Sequence, residues 1–105
     1  MKKELISIPH PGETLLEDFM KPLGLSAYRV AKDLRVEPIT ISLLTRRRRN
    51  VSPEMALRLA RYTGTSPDLW LGLQEEYDLR TAERKMSSRI LREVKPCPAL
   101  QHAMA

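Results

Sequence analysis

The stretch Leu25 to Asn50, LSAYRVAKDLRVEPITISLLTRRRRN, leaves this chain little freedom in how it can fold. Ser26 can cap a helix whose apolar or small residues, Ala27, Val30, Ala31 and Leu34, fall on one helical face. Arg35 and Val36 allow a brief turn. Glu37 then precedes Pro38, and proline suits the first position of a helix, where no amide partner is lost. Ile41 and Leu44 are spaced to pack back on the first helix, which leaves Thr40, Ser42 and Leu43 facing elsewhere. Two short helices joined by about 3–4 residues form a helix-turn-helix, whose second helix can enter a DNA major groove. The segment predicts that motif over residues 26–45, closed by the run Arg46 to Arg49.

Charge agrees with this reading. Residues 26–50 carry seven basic side chains against Asp33 and Glu37, which equals the formal charge of +5 for all 105 residues. The excess is therefore local, as an electrostatic footprint for phosphate would be. A solvated basic loop or a targeting patch would use the same residues, but neither accounts for a groove-sized helix directly before them.

The chain is long enough for one domain with a tail and one modest core. No run of alternating β-branched residues marks a strand, so the expected class is all-α. No stretch reaches the roughly 20 apolar residues that cross a bilayer, and MKKELISIPHP lacks the apolar run of a signal peptide. A cytoplasmic protein without membrane contact is expected. Cys97, the single cysteine, stands between Pro96 and Pro98 and reads as a free thiol. Neither a metal nor a cofactor is expected, and an enzyme is not. There is no glycine-rich phosphate loop or clustered ligand set, and His10 and His102 stand at opposite ends of the chain.

Residues 1–9 read as an N-terminal arm. Pro9 and Pro11 bracket His10, a candidate helix cap rather than a ligand. A first helix from about Pro11 to Lys21 should bury Leu15, Leu16, Phe19 and Leu23, with Glu13, Glu17 and Asp18 on its other side. Pro22 and Gly24 close that segment. Ser52-Pro53-Glu54 and Ser66-Pro67-Asp68 repeat one opening formula, a cap followed by proline and an acid. The fourth helix should turn Ala56, Leu59 and Ala60 inward and stop at Gly64. The fifth should align Leu69, Trp70, Leu73 and Tyr77, with Trp70 in the core and the remaining apolar surface against a second copy. Beyond about Arg84 the pattern weakens, and residues 85–105 read as a tail, frayed or forming a short helix.

Three stretches carry a resemblance: HPGETLLEDF at 10–19, PLGLSAYRVAKDLRV at 22–36, and SPEMALRLARYTGTSPDLWLGLQEEYDLR at 52–80. Together they resemble the HigA-type antitoxins, also called virulence-associated protein I-like, within the Cro/repressor helix-turn-helix superfamily. The resemblance covers residues 10 to about 84, taken as the DNA-binding domain. It implies a compact five-helix bundle of the lambda-repressor-like type that dimerises, binds a palindromic operator near its own promoter, and neutralises a cognate toxin. In that family the toxin is usually an mRNA-cleaving ribonuclease of RelE-like fold. A stand-alone helix-turn-helix repressor is the alternative reading. Pro38 to Thr45 corresponds to the family's recognition helix. Two departures stand out. Wider relatives often begin the two motif helices with glutamine, where this chain has Ala27 and Pro38. Their following turn is commonly Asn-Gly, where this chain has Arg46-Arg47. Neither amide readout of adenine nor a glycine-based turn carries over.

The residues suggest how DNA would be held. Ser26 and the first amides of its helix can bind a phosphate, since a helix N-terminus is a ready anion site. Arg46, Arg47, Arg48 and Arg49 can reach phosphates or guanine edges. Ile39, Thr40 and Leu43 would meet the groove floor, with Ser42 beside them, while Arg29 and Lys32 would serve the flanking backbone. If about 6 phosphates are neutralised, the log-log salt slope should be about −5. A dimer would set its two groove helices about 34 Å apart. Glu13, Glu17 and Asp18 form the acidic face expected to meet a basic toxin.

Overall fold

The computed structural model describes residues 8–100, and all regular structure within them is helical. The first helix is composite. An α-turn at Pro11–Thr14 runs into a π-wound stretch at Leu15–Met20 and closes with Lys21–Leu23. These abutting segments form one helix, α1 (residues 11–23). It is followed by α2 (Ala27–Leu34), α3 (Pro38–Thr45), α4 (Pro53–Thr63) and α5 (Pro67–Glu93).

Helix starts follow local chemistry. Ser26, Ser52 and Ser66 each accept a hydrogen bond from the amide three residues on, at 3.0, 3.1 and 3.2 Å. Proline stands in the first turn of α3, α4 and α5, and only α3 lacks a side-chain cap bond, since Glu37 provides none. His10 caps α1. Its Nδ1 accepts from the Gly12 amide at 2.9 Å, and Glu13 Oε1 accepts from the His10 amide at 3.0 Å.

Helix ends share one device. After α1, α2, α3 and α4 the chain turns through a left-handed residue, respectively Gly24, Arg35, Arg47 and Gly64. The next amide then reaches back to the helix: Leu25 to the Met20 carbonyl, Val36 to Ala31, Arg48 to Leu43 and Thr65 to Ala60. Two of the four positions therefore hold arginine where glycine fits without strain. The turn after α3 adopts the left-handed geometry although no glycine is present.

The core gathers Leu15, Val30, Ala31, Leu34, Ile41, Leu44, Val51, Ala56, Leu59 and Trp70. Trp70 is fully buried, and its indole Nε1 donates to Thr65 Oγ1 at 2.9 Å. Leu23, expected inside, is 69 % exposed. The wide π turn links the Lys21 amide to the Leu16 carbonyl, five residues back, and brings Met20 into the buried stripe instead. Gly24 then reverses the chain so that Leu25 packs on the core.

Helix α5 differs from expectation in two ways. Its inward line holds Trp70 and Gln74, with Leu71 and Leu73 packed against the core, while Leu69 turns out. Gln74 is buried because it satisfies a loop. Its Oε1 accepts from the Val51 amide at 2.7 Å, and its Nε2 donates to Asn50 Oδ1 at 3.2 Å and Asp78 Oδ1 at 2.9 Å. The helix also passes straight through Arg84 to Glu93, with no break where the tail was expected. Ion pairs of Arg80 with Glu76 and Glu83, and of Arg89 with Glu93, lace that exposed half. Residues 1–7 and 101–105, with most of the arm and the end of the tail, lie outside the described residues.

Candidate nucleic-acid interface

The helix-turn-helix forms where the sequence placed it. α2 buries Val30, Ala31 and Leu34, and α3 buries Ile41 and Leu44 against it. Ala27, at the head of α2, is half-buried and packs on the core. Asp33 locks α2 to α4: it accepts from Arg29 Nε at 2.9 Å and from the Tyr62 hydroxyl at 2.6 Å. The Tyr62 hydroxyl and then Arg29 hold the Asp33 carboxyl below its ordinary range. Arg58 Nη1 donates to the Leu34 carbonyl at 2.9 Å, which satisfies the end of α2.

The outer side of α3 is apolar. Ile39 is 55 % exposed, Leu43 is half-buried, and Pro38 is exposed at the helix start. Ser42 sits among them. Such a surface is costly in water unless a partner covers it, and methyl-bearing groove floors suit it. Thr40 corrects the expectation for this face. It is 8 % exposed and sits on the inward side of α3, since it precedes Ile41 and lies four residues before Leu44.

The four arginines divide into two kinds. Arg46 folds back along α3, with Nε donating to the Ser42 carbonyl at 3.1 Å and Nη2 to Ser42 Oγ at 2.9 Å. Arg47, in the left-handed turn at φ 62°, sends Nη1 to within 3.6 Å of Glu13 Oε1 on α1. Arg48 and Arg49 are exposed, and among the described residues neither side chain has a hydrogen bond or ion pair. Charge placed in this way leaves the last two arginines ready for an external anion. Arg29 is held by Asp33, while Lys32 is exposed on the same helix. Ser26 is exposed at the start of α2 with its hydroxyl oxygen engaged by the Arg29 amide.

The sequence reading missed Tyr28. It stands one residue beyond Ala27, outside the apolar face of α2, and 68 % of it is exposed beside the Ser26 cap. The signal was available in the spacing, because a residue between positions 27 and 30 of that face must point outward. Its hydroxyl can donate to a phosphate oxygen.

The acidic set on α1 does not stand as one free face. Glu13 is taken up by the His10 amide and Arg47, and Glu17 pairs with Lys21 at 2.9 Å. The three contacts come from the helix cap, the turn after α3 and the next helical turn, and they leave Asp18 outward. Among the described residues no helix is long and apolar enough to cross a membrane.

Comparison with known proteins agrees with this arrangement. The helix-turn-helix family model matches residues 16–70. Virulence-associated protein I of Dichelobacter nodosus is 45 % identical over 87 residues, covering 83 % of this chain and 80 % of that protein. The solved structure of antitoxin GraA superposes with a TM-score of 0.85 at 41 % identity, covering 89 % of this chain and 100 % of the other. The Pseudomonas aeruginosa antitoxin HigA, solved with the higBA promoter, superposes at 0.83 with 37 % identity, covering 86 % and 98 %. With more than half of the chain matched by the family model and a relative 45 % identical over 83 % of it, the protein belongs to the Cro/repressor-type helix-turn-helix family, among the HigA-type antitoxins.

Proposed function

We propose that the chain is the antitoxin of a type II toxin–antitoxin module. It represses its own promoter by binding a palindromic operator, and it binds and neutralises a RelE-like ribonuclease toxin. One observation carries the DNA half: the exposed apolar side of α3 is flanked by Arg48 and Arg49, whose side chains have no partner among the described residues. The likeness to a promoter-bound antitoxin supports it. Ile39 and Leu43 meet thymine methyls, Ser42 and Arg46 approach base edges together, and Arg48, Arg49, Lys32, Tyr28 and the Ser26 end of α2 hold phosphates. Arg47 acts mainly within the chain. A homodimer sets two copies of α3 one DNA turn apart, and the exposed Leu79, Met86 and Ile90 along distal α5, with Val94 just past its end, supply apolar surface for it.

Asp18 is the part of the α1 acidic set that remains available to a basic toxin, with Glu17 beside it in its pair with Lys21. That two of the three acids already have partners favours the alternative of a stand-alone repressor. Co-expression with the adjacent reading frame decides between them. An antitoxin restores growth and co-purifies with the product, whereas a stand-alone repressor does neither. A gel-shift titration on the chain's own upstream region tests the DNA half. Binding no tighter there than to an unrelated duplex removes the repressor role.

A further inference from the structure

The junction of α1, the turn after α3, and α5 holds a buried titratable group that DNA contact itself does not require. His10 is 1 % exposed. Its Nδ1 accepts the Gly12 amide, so in this state Nδ1 carries no proton. The charged and titratable groups around it come from each packed element: Glu13 on α1, Arg47 in the turn after α3, and Tyr77 and Asp78 on α5. Tyr77 meets the imidazole edge-on with ring centroids 4.7 Å apart. Directly beside this cluster, Gly12 lies so close to Leu44 that a Cβ would overlap the Leu44 carbonyl oxygen. That same carbonyl accepts the Arg47 amide at 3.0 Å. The start of α1 is thus seated on the backbone that sets the left-handed turn and aims Arg48 and Arg49.

We propose that His10 is a positioning residue for the DNA-facing arginine turn: its neutral imidazole pins the start of α1 onto Leu44 and Arg47, and protonation releases that turn. The inference rests on the DNA-binding reading given above. Protonating Nδ1 removes the acceptor of the Gly12 amide and places a cation next to Arg47 in a site closed to water. Burial lowers the His10 pKa from its ordinary 6.5, and Arg47 acts in the same direction, against Glu13 and Asp78. The sign follows. The released state takes up the proton more readily, so the pin is complete above the ordinary value and is lost as pH falls through the folded one.

The expected pH trend opposes simple electrostatics. Adding positive charge in acid should tighten binding to a polyanion, whereas release of the turn weakens it. The probe is a duplex enriched from a random pool by the full-length wild-type chain at about pH 7.5. Its Kd is then measured at about pH 7.5 and 5.5, with circular dichroism confirming folded protein at both. Weakening of several-fold in acid is expected, because the released state binds the proton more readily than the pinned one. His10→Asn keeps a capping oxygen and does not titrate, so its affinity should hold or rise in acid. Equal pH trends for wild type and H10N would overturn the proposal. Should H10N fail to fold, NMR titration of the wild type decides. The His10 ring and the Arg47 and Arg48 amides should shift with one midpoint, and amides that stay still while the ring titrates sink the idea. Failure to enrich any duplex at neutral pH counts against the DNA-binding reading instead, and the NMR titration still decides the pin.

Discussion

Gly12 rests on the carbonyl of Leu44, with no room for a methyl group between the two backbones. The contact joins the first turn of α1 to the last turn of α3, so the groove-facing helix is braced from outside its own motif. Gly12→Ala must push the two apart. A loss of about 2–3 kcal/mol is expected, in the range for overpacking a closed site. Urea denaturation measures it, and a midpoint equal to wild type would show that the contact yields freely.

Arg35 closes α2 in the left-handed region at φ 61°. Arg35→Gly relieves the Cβ contact there and should add about 0.5–1 kcal/mol of stability, after the entropy that glycine gains in the unfolded chain is deducted. Arg35→Ala keeps the strained backbone and removes only the charge. Thermal melts of the two should differ, and identical shifts would assign the effect to charge alone.

Gln74 is the buried acceptor for the Val51 amide at 2.7 Å. Gln74→Leu leaves that donor unpaired inside the protein, at a cost of about 1–3 kcal/mol. The loop from Arg46 to Ser52 hangs on this bond, so amide exchange at Val51 should accelerate more than exchange in α2. Uniform acceleration would mean that Gln74 supports the whole fold rather than the loop.

The four arginines should not behave alike on DNA. Arg48→Ala and Arg49→Ala each remove a cation without a partner among the described residues, and each should flatten the log-log salt slope by about 0.9. Arg46→Ala should weaken binding with a smaller change in slope, since its guanidinium is held by Ser42. Arg47→Ala should chiefly lower stability, by less than about 1 kcal/mol for an exposed pair. Gel-shift titrations across salt concentrations separate these cases, and one common slope change for all four would refute the division.

Much of the architecture was readable in one dimension. Three serine caps, the prolines that follow Ser52 and Ser66, and the glycines at 24 and 64 fix helix ends through bonds within a few residues of each other. The apolar faces of α2 and α4 follow from helical spacing for the same local reason. What the folded molecule decided lies in backbone winding and packing that residue spacing does not reveal, much of it through partners distant in sequence. A π turn replaced Leu23 with Met20 in the stripe, and Gln74 became a core residue because an amide 23 positions away needed an acceptor. Thr40 turned inward, and Glu13 left the acidic face for His10 and Arg47. A run of four arginines looks uniform as a string. The folded molecule gives its members different work: Arg46 lies back along α3 on Ser42, Arg47 reaches across to Glu13 on α1, and Arg48 and Arg49 have no partner among the described residues.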